Sequence, residues 1–107
     1  MPEVKIVLST VDNDETARRI ARTLVGERLA ACVGILPPMT SVYRWKQVLH
    51  EDPESQMIIK TAADKVDRLL SRLREVHPYE VPEILVVPVE AGLEDYLGWV
   101  EDETREG

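Results

Sequence analysis

Two apolar stripes at helical spacing, each bracketed by short apolar runs, restrict this chain to a small set of folds. Ala17, Ile20, Ala21, Leu24 and Val25 form the first stripe, and Val66, Leu69, Leu70, Leu73 and Val76 form the second. A period near 3.6 puts each set on one side of a helix, which must then be buried against something apolar. The first helix is expected to begin at Asp12 as N-cap, with Glu15 reaching back to it, and to end near Glu27-Arg28. The second opens at Asp64 and stops before Pro78, because proline pushes the preceding residue out of the helical region. The apolar partners are four predicted strands. Val4 to Val11 is apolar on both alternating sets, as a central strand should be. Ala30 to Leu36 and Gln56 to Thr61 follow, and Glu83 to Val89 contains Pro88, which marks an edge or a bulge. After Gly92 a last helix shows Leu93, Tyr96, Leu97 and Val100 in register. The order is β-α-β, β-α-β, then a helix, the pattern of an α+β ferredoxin-like (split βαβ) sandwich with both helices on one face of an antiparallel sheet. At 107 residues, with 44% hydrophobic and 31% charged residues, residues 1–107 read as a single domain large enough to hold a core.

One segment exceeds that plan. Beyond Pro37-Pro38, Thr40 to Leu49 reads as extended and carries Tyr43 and Trp45 two apart on one face. His50 to Glu54 reads as a polar turn, so the second strand is expected to run on into a long hairpin ending around Asp52. A two-stranded ribbon alone is marginal in water, and an edge with exposed aromatics is a liability unless something pairs with it. A neighbouring subunit is the expected partner. The alternative is that the ribbon folds back on its own sheet.

Charge and motifs exclude several functions. Twenty acidic against thirteen basic residues give a net charge of −7, which argues against nucleic acid as a partner. The single cysteine, Cys32, rules out an intrachain disulfide, fits a reducing compartment and reads as a small packing residue. The start lacks the basic and apolar regions of a signal peptide, and no uncharged run is long enough to span a bilayer. There is no phosphate loop, G-x-G-x-x-G, C-x-x-C or G-x-S-x-G.

The densest chemistry is His77-Pro78-Tyr79-Glu80-Val81-Pro82-Glu83, an imidazole, a phenol and carboxylates held between prolines at a helix exit. Imidazole and carboxylate are ordinary ligands for copper or zinc, which makes His77 and Glu83 metal candidates. The competing role for His77 is to cap the helix C-terminus. Ser9 and Thr10 are candidate polar groups facing a pocket, His50 sits among acids, and Tyr96 and Trp99 read as packing residues. An N-terminal Pro2 amine would suit a tautomerase base, but no second acid–base residue is placed near it.

Taken together, these segments resemble the CutA divalent-cation tolerance proteins. The likeness is carried by Glu27-Arg28-Leu29-Ala30-Ala31-Cys32-Val33, Ser41-Val42-Tyr43-Arg44-Trp45, Ile59-Lys60-Thr61, His77-Pro78-Tyr79-Glu80-Val81-Pro82-Glu83-Ile84 and Tyr96-Leu97-Gly98-Trp99, in order over nearly the whole chain. The resemblance implies a cytoplasmic, non-enzymatic homotrimer with the long hairpins packed between subunits, Tyr43 and Trp45 among the interface residues. It also implies a link to divalent cations and copper(II), and a cleft at a subunit boundary near Ser9, Tyr79, His77 and Glu83. The fold and trimer of that family resemble the PII nitrogen-signalling proteins, so a ligand-sensing or adaptor role is the alternative. Four departures stand out: Gln47 where members usually have glycine, Gly34 where many have asparagine, Ser9 where some have cysteine, and Val76 where some have a second histidine.

Overall fold

The two stripes do cover one face of one sheet. A computed structural model describes residues 2–106. The elements are β1 (Val4–Val11), α1 (Asp14–Gly26), β2 (Cys32–Ile35), β3 (Met39–Trp45), β4 (Val48–Ala62), α2 (Val66–Val76), β5 (Leu85–Pro88) and α3 (Glu94–Glu103). The sheet runs β2-β4-β1-β5, antiparallel throughout, with β3 paired to the outer part of β4. The strands of each βαβ unit are separated by a strand of the other, which is the split βαβ arrangement.

Alternation decides what the sheet buries on each side. Val7 and Val11 of β1 stand opposite Ile59 and Ser55 of β4 and point at the helices. Val7, Val11, Met57 and Ile59 meet Ala17, Ile20 and Leu24 of α1 and Leu69 and Leu73 of α2 in one core. Each of these side chains larger than Ala17 contributes roughly 1.5–3 kcal/mol by leaving water. A bidentate ion pair from Arg72 to Glu27 ties α2 to the end of α1, but on the surface it is worth under about 1 kcal/mol. On the other face, Val4 and Ala31 pack against Leu97 and Val100 of α3. The rest of that face has no cover: Ile6, Leu8 and Ile58 are half-buried, and Leu85 and Val87 are exposed.

The caps of α1 refine the expected ends. Asn13 is the N-cap: it is extended, and its Oδ1 accepts the Thr16 N–H at 2.8 Å. Asp12 instead accepts the Asn13 side-chain amide. At the other end the Leu29 N–H reaches the Leu24 carbonyl and the Arg28 N–H reaches that of Val25, with Arg28 at φ 60. That is a Schellman motif, and its apolar contact is Leu24 with Leu29, both in the core.

The ribbon differs most from the sequence-based expectation. His50 to Glu54 is not a turn; it lies within β4, and the hairpin closes at Lys46-Gln47. Both loop residues have positive φ, 49 and 69, as a two-residue primed turn requires. The polar residues and Pro53 misled because this half of β4 has only one partner strand, so its faces and free edge tolerate polar groups and a missing N–H. The expected strand Gln56 to Thr61 is the inner part of the same strand. β2 is shorter than expected, although the Ala31 and Leu36 N–H groups still bond to β4 beyond its ends. β5 starts at Leu85 instead of Glu83 and is an edge strand, where Pro88 is tolerated.

Candidate functional site

His77 ends α2. Its N–H closes the last helical bond to Leu73 while its backbone turns extended, as the residue before a proline must. The imidazole folds back onto β1 and is only 7% exposed. Its Nε2 lies 2.8 Å from the Thr10 carbonyl oxygen, and its Nδ1 receives the Tyr79 N–H at 3.1 Å. A carbonyl only accepts, so Nε2 carries the hydrogen and Nδ1 is the acceptor. Burial lowers the ring's pKa, against the pull of the Thr10 carbonyl and the charges of Glu54 and Asp12. His77 is thus a neutral pin between the loop at 77–83 and β1, with both nitrogens in use.

Two further bonds fasten the same loop to β4. The Tyr79 hydroxyl donates to Glu54 Oε2 at 2.7 Å, and burial with that carboxylate pushes the phenol pKa up. Gln56 Nε2 donates to Glu83 Oε2 at 3.1 Å and also to the Ser9 carbonyl. Glu54 and Gln56 are two apart on β4 and so share a face. Across from the loop, Tyr43 donates to Asp52 and stacks on His50 with ring centroids 5.2 Å apart. The Lys46 ammonium lies 5.7 Å from the Trp45 ring centroid.

Between ribbon and loop lies a cleft of about 540 Å³. Thr10 forms its floor, Tyr43, Trp45 and Glu54 one wall, and Tyr79, Glu80, Val81 and Glu83 the other. The structure therefore brings together Tyr43, Trp45, Tyr79 and Glu83. His77 sits behind the cleft. Ser9 is fully buried on the helix side of β1 with Val7 and Val11, its Oγ without a partner, and it is Thr10 that faces the cleft. Glu54 escapes sequence reasoning because it falls in the supposed turn; its spacing of two from Gln56 was the available signal. Tyr96 and Trp99, expected as packing residues, stay 40% and 41% exposed on α3. Pro2 precedes β1 at the end opposite Thr10.

The residues of the chain do not fit a preformed metal centre. Both nitrogens of His77 are bonded, and one oxygen of Glu83 is taken by Gln56. Among the described residues, no group of three or more His, Cys, Asp or Glu side chains is placed to hold a metal ion.

Residues 5–103 match the family model described as CutA1 divalent ion tolerance protein. The chain is 45% identical to the divalent-cation tolerance protein CutA of Thermus thermophilus over 94% of this chain and 97% of that protein. It is 50% identical to the CutA homolog of Xenopus laevis over 87% of this chain, which spans 62% of that longer protein. Among solved structures, the Thermus thermophilus protein superposes with a TM-score of 0.91 at 44% identity, covering 95% of this chain and 99% of that one. A Nostoc protein described as a PII-like CutA superposes at 0.88 with 38% identity over 94% and 97%.

Proposed function

Because this chain belongs to the CutA1 divalent ion tolerance family, we propose that it acts as a homotrimeric, non-catalytic protein of the cytoplasm that binds divalent ions such as copper(II) and takes part in the response to them. The observation that carries the ion part is the match over residues 5–103. A net charge of −7 on each copy supports cation binding in general. The ion contacts Glu83 and neighbouring carboxylates, and His77 joins only by giving up its bond to Thr10 or Tyr79. Binding is therefore weak, with a Kd on the order of 0.1 mM, or about −5.5 kcal/mol. Copper(II) titration of wild type, Glu83→Gln and His77→Ala, followed by NMR, tests the ion site. A saturable shift below roughly 1 mM that weakens in Glu83→Gln is expected. Its absence sinks the ion reading at this position.

The trimer is supported by apolar surface with no cover in a single chain. Val42, Leu49 and Leu85 are more than half exposed, and Tyr43 and Trp45 are about 40% exposed. Apolar area of that extent marks an interaction surface. Trp45→Glu buries a charge at such a contact and is expected to lower the mass measured by light scattering. An unchanged mass shows that this side chain lies outside the interface.

A second role, ligand sensing of the PII type, is favoured by the cleft itself and by the likeness to the Nostoc protein described as PII-like. A metabolite thermal-shift screen separates the two, since a ligand that binds only the folded protein raises its melting temperature. Stabilisation by a small metabolite but not by metal favours sensing. Subcellular fractionation tests the compartment.

A further inference from the structure

We propose that the cleft takes a small organic cation, an amine, diamine or guanidinium compound, with its charge on Glu54, Glu80 and Glu83 and its carbon body against Tyr43, Trp45 and Tyr79. The proposal deepens the sensing role and rests on the cleft being its ligand site.

Within a single chain, and among the described residues, the lining has three carboxylates and no lysine, arginine or histidine. Glu54 and Glu83 each accept one bond, from Tyr79 and Gln56, which orients them. A carboxylate has about four acceptor positions, so both keep capacity for a ligand. Burial and Glu54 keep the Tyr79 phenol protonated, so it brings a ring and no further negative charge. The aromatic wall suits cations in the same molecule: the Lys46 ammonium already sits over the Trp45 ring. Thr10 adds an independent sign. It is 5% exposed, it lines the cleft, and its hydroxyl takes part in no hydrogen bond among the described residues. A hydroxyl on the cleft floor that no protein group engages is free to bond a ligand as donor or acceptor.

The same geometry selects against two other ligands. A tightly held hard metal ion needs several oxygens converging within about 2.6 Å, and among the described residues no three acids are placed to supply them, so a metal ion at Glu83 is held only weakly. A phosphate-bearing metabolite meets like charge on its way in. A cation with charge at two ends, or spread over a guanidinium plane, matches carboxylates that stand apart.

The test is calorimetric and NMR titration of the intact protein with 1,4-diaminobutane and agmatine, beside the uncharged 1,4-butanediol and the anion succinate. The cations are expected to shift Thr10, Tyr43 and Val81 saturably. Glu80→Gln should weaken binding about threefold and Trp45→Leu about fivefold. Glu80 is exposed, so its variant keeps the fold, and native mass spectrometry of each variant separates lost binding from lost assembly. Equal shifts with the diol, or a non-saturating response to the diamine that Glu80→Gln leaves unchanged, overturn the proposal. Binding of an anionic metabolite here, with no response to the cations, overturns it while leaving the sensing role intact. No response to any ligand overturns both.

Discussion

Replacing Gln47 by glycine should stabilise the protein. Gln47 is exposed and sits at φ 69 in the two-residue loop of the ribbon, beside Lys46 at φ 49. An L-residue in the left-handed region is disfavoured by roughly 1–2 kcal/mol, because Cβ crowds the following carbonyl. Glycine escapes that strain but loses about 0.5–1 kcal/mol more chain entropy on folding. No burial is lost, so the balance spans about 0–1.5 kcal/mol and centres on a gain of about 0.75 kcal/mol per chain. For a domain near this size, 1 kcal/mol moves the melting temperature by about 4–8 °C, so a rise of about 3–6 °C is expected. The assay is scanning calorimetry at one fixed protein concentration, so that any association between copies weighs equally on each variant. Gln47→Ala is the control: it keeps Cβ and the strain, and should stay within about 0.5 kcal/mol of wild type. If the alanine variant rises as far as the glycine variant, or the glycine variant melts lower, the backbone of this loop is not strained and the reasoning fails.

Other consequences follow from the core and from His77. Leu73 is fully buried between α2 and the sheet, so Leu73→Ala should cost about 2–5 kcal/mol, read from the denaturation midpoint at unchanged m-value. The folded state lowers the pKa of His77 below its ordinary 6.5. Its neutral form is thus the one that folding favours. The corresponding stability is complete above about pH 6.5 and is lost as the pH falls from there through the folded value. His77→Gln retains an amide donor for Thr10 but cannot titrate, so its melting temperature should fall less between pH 7 and 5 than that of wild type. Parallel pH profiles for the two proteins would assign the acid sensitivity to other groups. Tyr79→Phe removes the bond to Glu54 and should cost about 1 kcal/mol.

The two helices and β1 were readable from the sequence because their burial is complete within one chain. Ile20, Leu24, Leu69 and Leu73 all face one sheet, and that is what writes a period into the residues. The ribbon was not readable in the same way. Its residues lie on a two-stranded projection where apolar and polar side chains are both exposed, so polarity does not follow the pleat. Lys46-Gln47 also carries neither the asparagine nor the glycine that announces a primed turn. The cleft was half visible: the chemistry crowded into 77–83 pointed to one wall, while Glu54 was hidden by the misplaced turn. The choice between Asp12 and Asn13 as cap depends on where β1 lets go, since both residue types cap well.

β4 is long enough to connect two fates. At roughly 3.3 Å per residue, its fifteen residues match the 45 Å long axis of the molecule. Its outer half is aligned by the Lys46-Gln47 loop, and its inner half places Met57, Ile59 and Thr61 under the helices. Because side chains alternate strictly, a slip of one residue at the loop, carried along the strand, would turn those three toward the uncovered face and bring Ile58 and Lys60 into the core. The exposed tip of the ribbon thus acts as a ruler for packing ten residues away, and sequence changes there are constrained by a core they never touch.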